Sequence, residues 1–190
     1  GTRLRQAVSD VPKPMAPIDG RPFLEILLCE LAQKNFSRAI LSLGFMAEKI
    51  SSHFGPRFAG MEITCVVEDI PLGTGGATRL AASACNQDHV FVLNGDTYLD
   101  LEVDLLERRW EAKRYPIVVG RKVADTTRYG RLVVDGDRVT NFAEKGVPGP
   151  GLINAGCYVI ATDALAQFPS NKPFSIETDY LAPEFACSTV

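Results

Sequence analysis

The chain has 190 residues, 46% of them apolar, and a formal net charge of −3, enough material for one sizeable core. That balance argues against a nucleic-acid or membrane-surface protein, while a small anionic ligand held by local cations stays compatible with it. No apolar run approaches bilayer-spanning length and the first residues do not resemble a signal peptide, so a cytoplasmic location is expected.

In chain order, Phe23 to Lys34 carries Leu24, Leu27, Leu28 and Leu31 at helical spacing, with Asp19-Gly20 as the preceding turn and Pro22 suited to a first helical position. Arg38 to Leu43 reads as a short buried strand, Ala47 to Phe54 as a helix ended by Gly55-Pro56, and Glu62 to Glu68 as a second strand. Thr78 to Cys85 is expected to be helical and His89 to Asn94 a third strand. Val103 to Arg114 follows as a helix and Ile117 to Arg121 as a strand. Beyond Arg121 the pattern changes. Arg131 to Val134, the Asp135-Gly136-Asp137 turn and Arg138 to Phe142 form an expected hairpin, followed by a strand over Leu152 to Ile160. Strands separated by helices predict an α/β fold: a Rossmann-like, mostly parallel sheet flanked by helices, with a small antiparallel β insertion.

Cys29, Cys65, Cys85, Cys157 and Cys187 are widely spaced and odd in number, the first four within apolar patterns, which suits core thiols rather than disulfides. With no CxxC pair and only His53 and His89, both read as ordinary surface or element-end residues, a zinc site has little to build on. Any metal is expected on oxygen. Trp110, beside Leu105 and Leu106 on one helix, reads as a packing residue.

The segment Glu68-Asp69-Ile70-Pro71-Leu72-Gly73-Thr74-Gly75-Gly76-Ala77 places glycines and a threonine between a strand and a helix, as where backbone must come close to a ligand. The strand Val90 to Leu93 runs into Asn94-Gly95-Asp96, a carboxylate at a strand's carboxyl end. Ligands of open parallel sheets bind outside those ends, so the two segments predict a nucleotide site.

Taken in order, Gly1-Thr2-Arg3-Leu4, Pro12-Lys13-Pro14-Met15, the Glu68 to Ala77 loop, Asn94-Gly95-Asp96, Tyr129-Gly130, Glu144-Lys145 and Asn154-Ala155-Gly156 resemble the successive motifs of the sugar-1-phosphate nucleotidylyltransferases. Within that family the chain is most similar to the bacterial heptose-1-phosphate guanylyltransferases. The resemblance spans nearly the whole chain and implies the nucleotide-diphospho-sugar transferase fold, with a nucleotide-binding part over about 1–121 and a sugar-phosphate-binding part over about 122–190 of a single domain. Two pieces of the family pattern have no match, the residues before Gly1 and a late aspartate that completes the metal site. A first strand leading into Gly1 is expected from residues absent here.

The resemblance also implies roles. Arg3 and Lys13, with backbone N–H groups at Gly1 and Thr2, would hold the triphosphate and stabilise departing pyrophosphate. Asp96 would hold Mg²⁺ together with phosphate oxygens, and Gly73, Thr74, Gly75, Asn94 and Gly95 would contact the nucleotide. Tyr129, Gly130, Glu144, Lys145 and Asn154 would line the sugar-phosphate pocket. In related thymidylyl enzymes the position of Glu68 is typically glutamine. A carboxylate there only accepts, and guanine offers two adjacent donors, which favours GTP. The expected partners are therefore GTP and a sugar 1-phosphate, with a manno-configured heptose foremost, no nucleic acid and no membrane; a homo-oligomer stays open.

Each residue also has a plainer reading. Lys13 is a surface cation on a proline-rich loop, Asp96 a turn aspartate, Glu68 a solvated strand end, Glu144-Lys145 a hairpin end and Asn154-Ala155-Gly156 a strand bulge. Glu177 and Asp179, in Ser175-Ile176-Glu177-Thr178-Asp179, suit helix-start chemistry as well as a metal. Competing functions are uridylyl or thymidylyl transfer, a non-catalytic sugar-sensing domain, and a dinucleotide oxidoreductase, the last disfavoured because Gly73-Thr74-Gly75-Gly76 lacks the full dinucleotide spacing.

Overall fold

The computed structural model describes residues 11–187 apart from 144, so Gly1, Thr2, Arg3 and Glu144 lie outside the described residues. The chain divides into two compact units, 1–71 and 72–190. The boundary expected near 121 between nucleotide and sugar-phosphate functions therefore falls inside the second unit.

In the first unit, a 3₁₀ turn over Lys13–Met15 leads into a minimal hairpin of β1 (Pro17–Ile18) and β2 (Arg21–Pro22). Its turn residues Asp19 and Gly20 both have positive φ, 49° and 80°, the requirement of a tight I′ connection. Pro22 closes β2 and flanks α1 (Phe23–Gln33) instead of entering it. Leu24, Leu27, Leu28 and Leu31 are buried, as their spacing requires. β3 (Arg38–Leu43), α2 (Ala47–Phe54), β4 (Arg57–Phe58) and β5 (Met61–Val67) follow. β3 and β5 pair in parallel from Arg38 opposite Glu62 to Leu43 opposite Val67, with β4 antiparallel on β5. Gly55 ends α2 at φ 60°.

The second unit contains α3 (Gly73–Ala82), β6 (His89–Leu93), α4 (Val103–Lys113), β7 (Ile117–Val123), the β8 (Arg131–Asp135) and β9 (Arg138–Ala143) hairpin, β10 (Gly151–Ala161), a π-helical turn over Ile176–Leu181 and α5 (Ala182–Cys187). β10 organises it. The strand pairs with β7 along one edge and with β8 and then β6 along the other, every pairing antiparallel. Among the described residues the parallel ladder is thus confined to β3 and β5, less than the sequence reading expected of a mostly parallel sheet. The reason is visible in β10: an almost continuous buried run, from Ala155 to Ile160, belongs in the middle of a sheet and returns between its neighbours. Tyr158 and Ile160 pack with Leu165, Ile176, Tyr180 and Leu181 in this unit's core.

Trp110 is 2% exposed and stacks on His89 at 5.1 Å between ring centroids, a packing role. Of the cysteines expected to be core thiols only Cys157 is fully buried; Cys29, Cys65 and Cys85 are half-buried, and all four are free. No helix among the described residues is long and apolar enough to cross a membrane.

Candidate active site

In the first unit, parallel pairing brings the carboxyl ends of β3 and β5 together, and the chain leaves β5 into Glu68. Its backbone N–H donates to the Leu43 carbonyl at 2.8 Å, and its half-buried carboxylate accepts from the Ser42 hydroxyl at 3.4 Å. A carboxylate anchored at its backbone beside paired strand ends is placed to accept hydrogen bonds from a ligand. Lys13 is exposed on the 3₁₀ turn, whose last N–H, that of Ala16, closes on the Lys13 carbonyl.

In the second unit, the glycine-rich segment is helical from Gly73 onward, which corrects the expected helix over Thr78 to Cys85 and shortens it to Ala82. The segment Lys172 to Phe174 explains the glycines. A Cβ on Gly75 would lie 2.2 Å from the Phe174 ring and one on Gly73 2.6 Å from the Phe174 carbonyl oxygen, and Gly73 also has φ 69°. The Gly75 N–H donates to that carbonyl at 2.9 Å. At Gly75 it is the chain's own phenylalanine that comes close. The Thr74 hydroxyl is also used internally, donating to Glu177 Oε2 at 2.9 Å and accepting from the Ile176 N–H at 3.0 Å.

Asn94, Gly95 and Asp96 follow β6. The Asn94 N–H donates to the Gly156 carbonyl at 2.9 Å, and the Asn94 side chain occupies the space a Cβ on Gly156 would need. Gly156 is held at φ 73° in a bulge where β10 gains residues over β7 between Asn154 and Tyr158. The bulge reading of Asn154-Ala155-Gly156 is therefore right, and it has a consequence: it brings Asn154 beside the strand end that carries Asp96. Asp96 itself is exposed and accepts from the Thr97 hydroxyl at 3.5 Å. No group of three or more potential metal ligands occurs among the described residues. An exposed carboxylate at a strand end fits Mg²⁺, which is commonly held by one or two carboxylates with phosphate oxygens and waters completing the shell.

Tyr129, Gly130 and Lys145 gather around one turn. The Thr126 hydroxyl, fully buried, donates to the Val147 and Gly149 carbonyls at 2.6 and 3.2 Å. Asp125 accepts from Thr127 N–H, Thr127 hydroxyl and Gly149 N–H, and the Gly146 N–H donates to the Thr127 carbonyl. The Thr127 hydroxyl is the chief cause that holds the Asp125 carboxyl below the usual range. The loop carrying exposed Lys145 is thus tied to the turn that leads into Tyr129 and Gly130. The Asn154 N–H in turn donates to the Gly130 carbonyl at 3.2 Å. A Cβ on Gly130 would meet only the Ala143 carbonyl, at 3.7 Å.

Sequence reasoning gave Tyr158 no role and left Glu177 between helix-start chemistry and a metal. The Asn154 Oδ1 accepts from the Gly156 N–H at 2.9 Å while its Nδ2 donates to the Tyr158 hydroxyl at 2.8 Å. Tyr158 donates on to Glu177 Oε1 at 2.9 Å, and Ser175 Oγ donates to Glu177 Oε2 at 2.8 Å. Burial is the largest influence on the Glu177 carboxyl and pushes it up; hydrogen bonds from Ser175, its own backbone N–H, Thr74 and Tyr158 together outweigh it and hold the group below the ordinary carboxylate range. Burial first, then the Glu177 charge, raise the Tyr158 phenol, which keeps its proton. Asp179 accepts from the Ser175 N–H at 2.7 Å while Ser175 Oγ accepts from the Thr178 N–H at 3.2 Å, the helix-start reading of that motif.

Residues 1–180 match the nucleotidyl transferase family model. The chain is 38% identical over 187 residues to the D-glycero-alpha-D-manno-heptose 1-phosphate guanylyltransferase of Aneurinibacillus thermoaerophilus, covering 97% of this chain and 81% of that protein. The corresponding Campylobacter jejuni enzyme is 36% identical, with coverage of 93% and 79%. The crystal structure of HddC from Yersinia pseudotuberculosis complexed with GMP-PN superposes with a TM-score of 0.85 at 36% identity, over 95% of this chain and 80% of that one. On sequence, fold and extent of match, the chain belongs to the nucleotidyl transferase family.

Proposed function

We propose that this protein is a guanylyltransferase that joins GMP from GTP to D-glycero-α-D-manno-heptose 1-phosphate, forming a GDP-activated heptose and pyrophosphate. The observation that carries this reading is similarity along nearly all of the chain to two heptose 1-phosphate guanylyltransferases, which it matches over about four-fifths of their length. The reaction needs little covalent assistance. A sugar-phosphate oxygen, already anionic, attacks the α-phosphorus in line as pyrophosphate leaves, so no general base is required and control of charge is the main task.

The residues divide that task. Glu68, a half-buried acceptor at the end of β5, takes the N1–H and 2-amino donors of guanine. Arg3 and Lys13, with the Gly1 and Thr2 amides, stabilise the triphosphate and the departing pyrophosphate. The first-turn amides of α3 at Gly73 and Thr74 lack intrahelical acceptors and suit a nucleotide oxygen, whereas Gly75 supports the loop by its bond to Phe174. Asp96, beside Asn94 and Gly95, holds Mg²⁺, whose positive charge would draw the phosphates together and offset charge on the leaving group. Lys145 meets the sugar phosphate as a point charge, while Glu144 and Asn154 meet hydroxyls. Tyr129 flanks the sugar, and Gly130, where a Cβ would make only ordinary contact with the Ala143 carbonyl, lets a hydroxyl reach the backbone. The nucleotide work falls on residues 1–121 and the sugar-phosphate work on 122–190. The enzyme acts in the cytoplasm of a bacterium, supplying activated heptose for a surface polysaccharide such as a capsule.

The test is pyrophosphate release with Mg²⁺, using each of the four nucleoside triphosphates against manno-configured heptose and hexose 1-phosphates. GTP with the heptose is expected to be fastest, Asp96→Asn to abolish turnover, and Glu68→Gln to erode preference for GTP. Fastest release with UTP or dTTP would refute the guanine assignment, and fastest release with a hexose 1-phosphate would refute the heptose.

A further inference from the structure

We infer that Tyr158 and Glu177 form a positioning relay that sets which end of the Asn154 amide faces the sugar phosphate and, at its other end, fixes Thr74 at the start of α3. The inference rests on the reading of Asn154 as a sugar-phosphate contact. Four side chains from three parts of the second unit make one continuous path: Asn154 Nδ2 to Tyr158 Oη at 2.8 Å, Tyr158 Oη to Glu177 Oε1 at 2.9 Å, and Thr74 Oγ1 to Glu177 Oε2 at 2.9 Å.

The path has a fixed polarity. An ionised carboxylate has no proton to give, so Tyr158 must donate toward Glu177 and is left with lone pairs on its other side. Asn154 can meet those lone pairs only with its NH₂. Its carbonyl oxygen then points to the Gly156 N–H, at 2.9 Å, so two independent constraints select the same amide orientation. What remains for a substrate is one N–H and one carbonyl lone pair in a known arrangement. A flipped amide would offer a hydroxyl the opposite pattern. A free asparagine could present either, and a sugar hydroxyl pattern is rejected strongly only by polar groups that cannot adapt. Burial of Tyr158, 1% exposed in the core, shields this path from competing water.

Glu177 does one thing more. Its Oε2 accepts from Thr74 and Ser175 together, and the Ile176 N–H closes on Thr74 Oγ1. The carboxylate therefore holds the first turn of α3 against the segment after Phe174. Tyr158 touches only the sugar-facing branch; Glu177 serves both. The two residues are therefore expected to give different kinetic signatures, which a general packing defect would not do.

The experiment measures KM for GTP and for the sugar 1-phosphate, kcat and melting temperature in Tyr158→Phe, Glu177→Gln, Asn154→Ala and the Tyr158→Phe/Asn154→Ala double variant. Tyr158→Phe is expected to raise KM for the sugar phosphate about five- to tenfold, the equivalent of one ordinary hydrogen bond, and to leave KM for GTP unchanged. Glu177→Gln is expected to raise both. In the Asn154→Ala background Tyr158→Phe should add nothing, because its effect passes through the missing amide. If Asn154→Ala leaves KM for the sugar phosphate unchanged, the reading of Asn154 fails and the relay with it. If Asn154→Ala raises it but Tyr158→Phe does not, or the two effects multiply, the relay alone is wrong. Should Tyr158→Phe not fold, the Glu177→Gln/Asn154→Ala pair decides on the same criterion.

Discussion

Gly75 and Gly130 separate two reasons for a glycine, and paired alanine substitutions test them. At Gly75 a Cβ would sit 2.2 and 2.3 Å from Cε2 and Cδ2 of Phe174, far inside contact distance. The ring cannot swing away freely, because it stacks on Phe168 at 4.2 Å and 9°. Forcing a methyl into such packing typically costs about 1–3 kcal/mol. Alanine returns up to about 1 kcal/mol of helix propensity, so a net loss of about 1–2 kcal/mol is expected, or a Tm lower by about 2–8 °C in a chain of this size. Shortening the obstacle should relieve it: Gly75→Ala combined with Phe174→Leu is expected to be less unstable than the sum of the singles. At Gly130 the nearest atom is the Ala143 carbonyl oxygen at 3.7 Å, ordinary contact, so Gly130→Ala should change stability by less than about 0.5 kcal/mol while raising KM for the sugar phosphate. Thermal denaturation and pyrophosphate-release kinetics on the same preparations read both quantities. An unchanged Tm in Gly75→Ala with a raised KM for GTP, not relieved by Phe174→Leu, would refute the packing argument and restore ligand approach as the reason for that glycine.

Thr126→Val keeps shape but removes the donor to the Val147 and Gly149 carbonyls; a loss of about 1–3 kcal/mol in chemical denaturation is expected, with KM for the sugar phosphate raised because the Lys145 loop hangs from this turn. The Asp88 carboxyl, bonded to His89 and Arg114, is held down from its ordinary 3.8 to about 2. A depressed carboxyl contributes stability above its unfolded pKa and loses it as pH falls through the folded one, so the acid limb of Asp88→Asn should be shallower than wild type between about pH 4 and 2 when followed by circular dichroism. Burial pushes the Cys157 thiol up to about 12, and mass spectrometry after iodoacetamide treatment at pH 8 should find it labelled more slowly than half-buried Cys29 or Cys85. Faster labelling of Cys157 would contradict its place in the sheet.

Local signals were legible in the sequence wherever their cause is local. The leucines of α1, the Asp19-Gly20 turn, the Gly55 stop and the hairpin at Asp135-Gly136-Asp137 all act over a few residues, and each stands where it was read. The family was legible through the order of its motifs. Reading failed where the cause lies far along the chain. Gly75 borders on Phe174, and Thr74 bonds Glu177; no spacing rule connects positions so distant, so the packing of Phe174 on Gly75 went unread and the helix was started too late. The pairings of β10 were out of reach for a similar reason. Alternation of helix and strand suggests parallel pairing, but a single long apolar strand entering last can turn its neighbours antiparallel, and β10 does so on both edges. Its unbroken apolar run was the available signal, since a strand buried on both faces belongs at a sheet's centre.

The same strand ties the core of the second unit to the candidate site. Through Tyr158 and Ile160, β10 supplies core contacts of the second unit, and three residues earlier than Cys157 it supplies Asn154. Had the ladder with β7 run on without interruption, the register at Tyr158 opposite Val118 and that at Asn154 opposite Gly120 could not both hold. The bulge reconciles them, and it requires a residue at φ 73°, which is Gly156. A side chain there would meet backbone strain and the Asn94 amide, 2.4 Å from the added Cβ. Any substitution at Gly156 thus disturbs at once the ladder, the Asn94 anchor beside Asp96 and the acceptor end of Asn154. The glycine is fixed by the chain's own geometry, and the positions of the strand end that carries Asp96 and of the Asn154 amide follow from it.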